Sequence, residues 1–205
     1  MSFITDSDRQ SIETAVRDAE GRTSGELVTV IAEASDDYYY IPTLWAAIFA
    51  LLVPSGLFLA KLLPHVDHLL YGQLGGFIVL ALVFRWMPLK MRLVPKAVKH
   101  ERAARLAREQ FFERGLHRTE AGSGILIFVS AAEHYVEILA DHGINAQVDQ
   151  AVWQRTVDEF TSHVKAERIA EGFVKAIADC GGALAEHFPV GPDDKNELPD
   201  RLVEI

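Results

Sequence analysis

The sequence predicts an α/β domain with a transmembrane helical hairpin inserted after its first strand. Three observations carry this. Short β-branched runs bounded by turn residues lie on both sides of residues 41–89, and amphipathic stripes at helical spacing precede and follow them. Between them stand two apolar runs, each long enough to cross a bilayer. With 49% hydrophobic and 24% charged residues in 205, the chain is neither disordered nor of low complexity. A single cysteine, Cys180, excludes a disulfide framework and a cysteine-rich zinc site.

The first element is a helix within TDSDRQSIETAVRDAEGRTSG. Thr5 or Ser7 caps it, Ile12, Ala15, Val16 and Ala19 form its apolar stripe, and Gly21 or Gly25 ends it. ELVTVIAE (Glu26 to Glu33) reads as a strand covered on both faces. The first apolar run, Ile41 to Leu63, has no charge before Lys61, and its 23 residues reach about 34 Å as a helix. The second, Leu69 to Leu89, carries one charge, Arg85, near its end. Tyr38, Tyr39, Tyr40 and Trp86 fall where aromatic side chains meet headgroups. The linker PHVDH is short, so the spans form a tight hairpin and the rest of the chain lies on one side. An apolar segment that begins forty residues in is not a signal peptide.

Past the hairpin, Leu93 to Arg114 reads as one long basic helix with Leu93, Val94, Ala97, Val98, Ala104, Ala107 and Phe111 along its apolar stripe. GSGILIFVS (Gly122 to Ser130) is a buried strand, AAE a turn, and HYVEILAD (His134 to Asp141) a returning strand. Asp149 caps a helix with Trp153, Val157, Phe160 and Val164 on one face. A last helix, Glu167 to His187, places Ile169, Phe173, Ile177, Cys180 and Leu184 likewise. One strand before the hairpin makes no sheet alone, so residues 1–40 and 90–188 form one split domain. Residues 41–89 are the transmembrane hairpin. Residues 189–205 are an extended tail that stays free or docks through Leu198, Leu202, Val203 and Ile205.

The net charge of −9 hides an asymmetry: residues 85–118 hold ten of the twenty Lys and Arg against three acids. Basic residues beside a span resist translocation and bind anionic headgroups. The expectation is an inner (cytoplasmic) membrane protein with two spans and with both termini and the soluble domain cytoplasmic. Lys90, Arg92, Lys96, Lys99 and Arg102 are its lipid-facing cations, and the bilayer is its first partner. Nucleic acid is not an expected partner, because the acidic remainder repels phosphate. Gly72 and Gly76, at small-xxx-small spacing, offer a face for a homo-oligomer.

Three segments, TSGELVTVIAE, FFERGLHRT and GSGILIFVSAAEHYVEILADHGINAQVDQAVW, resemble the TPM domain family in its membrane-bound branch. Thr119, Gly124, Ser130, Glu133, Val136, Ile138, Gly143, Asp149 and Trp153 fall on the family's run. The resemblance implies a TPM-like α/β/α sandwich and divalent-cation binding, calcium or magnesium, in some members. It also implies acid phosphatase activity and upkeep of membrane complexes in others.

Acids divide between the two ends of the sheet. Glu33, Asp36, Asp37 and Glu133 fall near the membrane when the two strands before the turn run parallel. Glu26, Asp141 and Asp149 fall at the far end with Ser123 and His142. Either group offers the oxygen ligands that a hard cation prefers, and the far-end acids are the metal candidates because the acidic loop of the family that the chain resembles falls at Asp141 and Asp149. Against this stand a strand-end aspartate and a helix cap, the ordinary roles of Asp141 and Asp149. No nucleophile, phosphate loop or dinucleotide fingerprint is in context. The function expected is a non-enzymatic module for partner interaction or maintenance of a membrane protein complex. The alternative is a membrane-anchored metal-dependent acid phosphatase.

Overall fold

The computed structural model describes residues 4–62, 65–119, 121–191 and 195–205. Leu63 and Pro64 of the expected hairpin tip, and residues 192–194 of the tail, lie outside them. The chain falls into two compact units, Met1–Ser35 with His100–Ile205, and Asp36–Lys99.

The first unit begins with α1 (Asp6–Glu20). Thr5 caps it: its hydroxyl accepts the Asp8 N–H while the Asp8 carboxylate accepts the Thr5 N–H, and Gly21 ends it. β1 (Glu26–Ala32) and β2 (Gly124–Ser130) are buried along their whole length. They pair in parallel from Glu26 opposite Gly124 to Ala32 opposite Ser130. β3 (Tyr135–Ala140) returns antiparallel on the far side of β2. Val203 and Glu204 form β4, parallel to β1 at Val30 and Ile31, and the order is β3-β2-β1-β4.

Side-chain alternation gives the sheet two apolar faces. Leu27, Ile31, Ile125, Ile127 and Val129 pack against the stripes of α1, α7 (Gln150–Lys165) and α8 (Ile169–His187). Val28, Val30, Ala32, Leu126 and Phe128 pack against Ala107 and Phe111 of α5 (Lys96–Glu113) and against Leu116. The result is the α/β/α sandwich. Gly124 is required where β2 starts: a Cβ there would lie 2.6 Å from the Leu116 carbonyl oxygen.

The expected basic helix is two helices, α4 (Met87–Leu93) and α5, broken at Val94 and Pro95. Proline has no N–H and disfavours helical geometry in the residue before it, and Val94 is extended at φ −79°, ψ 124°. Leu116–Arg118 forms a short 3-10 turn, and α6 (His142–Asn145) lies between β3 and the helix that Asp149 caps. The tail docks: Leu202 is buried, the Ile31 carbonyl accepts the Ile205 N–H, and the Ile205 carbonyl accepts the Glu33 N–H.

The second unit contains α2 (Tyr40–Leu59) and α3 (Val66–Val83), each long and apolar enough to cross a membrane. The second span closes at Val83, earlier than Leu89, and Arg85 sits in the turn before α4. Ala46, Ala50 and Pro54 form the buried side of α2. A Cβ on Gly72 would meet Pro54 at 3.5 Å, and one on Gly76 would meet Ala50 at 4.0 Å. The small-residue face expected to join copies of the chain therefore packs α3 on α2 within one hairpin. Gln73 Nε2 donates to Ser55 Oγ across that seam.

Candidate functional site

At the end of the sheet where β1 and β2 begin, the metal candidates are brought to one edge but not to one point. Glu26 is buried, and its two carboxylate oxygens accept the N–H groups of Glu197 (2.9 Å) and Leu198 (3.1 Å). Asp141 closes β3 by donating its N–H to the Gly124 carbonyl, while its carboxylate caps α6 through the His142 N–H. Asp149 caps α7 through the Ala151 N–H at 2.8 Å. Glu26 lies two strands from Asp141, which at ordinary strand spacing is about 10 Å of backbone separation. Among the described residues, no group of three or more His, Cys, Asp or Glu is placed to hold a metal ion. The three acids therefore do not fit a shared cation, and no chemical step is derived through one.

The neighbouring residues are structural too. Ser123 is buried; its N–H donates to Thr119 Oγ1 and its hydroxyl to the Ser24 carbonyl. His142 sits on the surface with Nδ1 3.0 Å from Asp141 Oδ1. Cys180 is packed inside α8, and burial raises its thiol far above the reactive range. Glu133 is also buried: Ser130 Oγ donates to one carboxylate oxygen and the Ser35 N–H to the other, fastening the end of β1 to the β2–β3 turn.

Sequence reasoning missed an acidic recess of about 290 Å³ beside Glu26, lined also by Arg17, Glu20, Asn196 and Asp200. Glu20 Oε1 accepts the Leu27 N–H at 2.9 Å, and Oε2 is buried without a hydrogen-bond partner among the described residues. Desolvation pushes the Glu20 carboxyl up to about 8; the Leu27 bond opposes this, and the charges of Glu26 and Asp200 add to it. The only hint in the sequence is an acid placed one residue before the glycine that ends a helix.

The five expected lipid-facing cations separate. Arg92 and Lys96 are exposed, whereas Lys99 Nζ donates to the Met91 carbonyl. Arg102 belongs to the first unit and is half-buried. Lys90 is a correction: it is buried, donates to the Asp37 carbonyl at 3.0 Å, and holds its ammonium 5.7 Å from the Tyr39 ring centre. A primary amine so enclosed braces the start of α2 and does not reach a headgroup. Tyr38 is corrected likewise. It is fully buried with a left-handed φ of 51° and packs with Ile41 and Val94, while Tyr39 and Tyr40 are exposed.

The fold and these sites define a class: an α/β/α domain with a four-stranded mixed sheet and an apolar helical pair following its first strand. Residues 91–183 match the family model described as the TPM domain. The fold is similar to the NMR structure of the BA42 protein from the psychrophilic bacterium Bizionia argentinensis. The TM-score is 0.63 at 21% identity, over 100% of this chain and 97% of that one. No curated protein matches the sequence.

Proposed function

We propose that this chain is a membrane-anchored TPM module that binds a partner protein and helps maintain a membrane complex, without chemistry of its own. The observation that carries the anchoring is the outer surface of the helical pair. No residue of α3 is buried, and Leu51, Leu52, Val53, Leu59, Leu74 and Leu82 are among the large apolar side chains left outside. In water each such side chain forgoes about 2 kcal/mol of burial, a cost that hydrocarbon removes. Aromatic Tyr39, Tyr40 and Trp86 are exposed at the helix ends opposite the tip, as suits the headgroup boundary. Arg92 and Lys96 follow in the chain and suit anionic lipid on the cytoplasmic side of an inner membrane.

The non-catalytic part of the reading is supported by the sheet-end acids, each of which is committed to a cap or to the tail. The protein is expected to stay with membranes through alkaline carbonate extraction. In vesicles, Arg92→Glu with Lys96→Glu is expected to weaken the preference for phosphatidylglycerol over phosphatidylcholine about tenfold. Release by carbonate would contradict the anchoring, and an unchanged lipid preference would contradict the role of the cations. In intact membranes, crosslinking of the full-length chain is expected to join its sheet domain to a membrane protein; its recovery only as uncrosslinked chain would contradict the partner reading.

A further inference from the structure

The two edges of the sheet are treated differently. β4 closes one edge with only two residues. The other edge is β3, six residues in unbroken antiparallel register with β2, with no proline, lysine or bulge to discourage pairing. The Asp141 N–H bond to the Gly124 carbonyl sets the phase of that ladder. Tyr135, Glu137 and Leu139 therefore aim their backbone groups at β2, and Val136, Ile138 and Ala140 aim theirs at the open edge. Among those outward groups in the described residues, the Ala140 carbonyl has a partner, Asn145 Nδ2 at 2.7 Å.

A groove of about 570 Å³ runs along this edge, with Trp153, Val157 and Asp158 of α7 on one wall and His100 of α5 on the other. Trp153 is 5% exposed, yet its indole N–H has no acceptor among the described residues. A buried donor left unpaired is costly, and an entering carbonyl relieves it. The charged side chains lining the groove, apart from its two histidines, are Glu137 and Asp158. Burial holds the Glu137 carboxyl above its ordinary range, with the Tyr135 hydroxyl bond and the more distant Arg108 opposing this.

We infer that the groove takes an extended segment of a partner protein, paired to β3 as an added strand and carrying a lysine or arginine opposite Glu137. The inference rests on the partner-binding reading above and gives it a surface. Alternation fixes the pattern: apolar side chains beside Val136, Ile138 and Trp153, basic ones on the Glu137 side. A second copy of this chain fits poorly. Two-fold pairing of β3 with itself sets the two Glu137 side chains on one face of adjacent strands, where like charges repel.

The test uses the full-length protein in phosphatidylcholine nanodiscs and two labelled peptides, one alternating valine with lysine and one alternating valine with glutamate. The lysine peptide is expected to bind at least tenfold more tightly and to slow amide exchange at Val136, Ile138 and Ala140. Glu137→Lys is expected to reverse the preference, a gain that a misfolded variant does not produce. Trp153→Phe is expected to weaken lysine-peptide binding several-fold with the preference kept. Equal binding of the two peptides, a preference unmoved by Glu137→Lys, or edge amides that exchange as fast with peptide as without, would overturn the inference. The partner-binding reading falls separately, on the crosslinking result.

Discussion

Glu20 shows how a single carboxyl at the end of a helix couples stability to pH. Its folded value of about 8 lies above the ordinary 4.5, so between these pH values the folded chain holds a proton that the unfolded chain releases. The stability it contributes is complete below pH 4.5 and is lost as pH rises through 8. The melting temperature is expected to fall by about 3–6 °C between pH 5 and 8.5 on this account, and Glu20→Gln is expected to flatten that slope, as differential scanning fluorimetry would show. A slope unchanged in the variant would assign it elsewhere. Residues of this kind were illegible in the sequence, because the shift comes first from burial that only the fold creates, and then from the charges of Glu26 and Asp200, six and 180 positions away. Lys90 and Tyr38 were misjudged for a related reason. Position beside a span suggested exposure, whereas tertiary packing buried both.

At the scale of elements, periodicity served well wherever one face or both faces of an element are buried. The stripes Ile12/Val16/Ala19, Trp153/Phe160/Val164 and Phe173/Ile177/Cys180/Leu184 all became core, and the strands read as buried became the two central ones. Pro95 carried the break between α4 and α5 in plain view, but the basic residues on both sides of it outweighed it. The tail was harder. Two residues of strand have no period, and their pairing depends on Glu26 holding the Glu197 and Leu198 N–H groups. Glu26→Ala is expected to loosen this docking by about 2 kcal/mol, read as roughly thirtyfold faster exchange of the Ile205 amide, with α7 amides unaffected. Uniform acceleration across the domain would mean instead that Glu26 supports the whole sheet.

For the whole molecule, the order of elements was readable because a lone strand before the hairpin required partners after it, and β1 does pair with β2 across 91 intervening residues. The candidate site was less legible. Acids at strand ends and helix starts look alike in sequence whether they cap, brace or ligate, and here their partners are backbone N–H groups. The open edge of β3 left no mark at all in sequence, since pairing on one side of a strand is invisible to its residues. What the composition did announce was the hairpin, and the central claim is that it crosses a bilayer and returns. A cysteine introduced as His65→Cys in a Cys180→Ala background tests this most directly, using a membrane-impermeant thiol reagent on right-side-out and inverted inner-membrane vesicles. Labelling in right-side-out vesicles alone is the expected result. Labelling in inverted vesicles, or equal labelling in both, would contradict it.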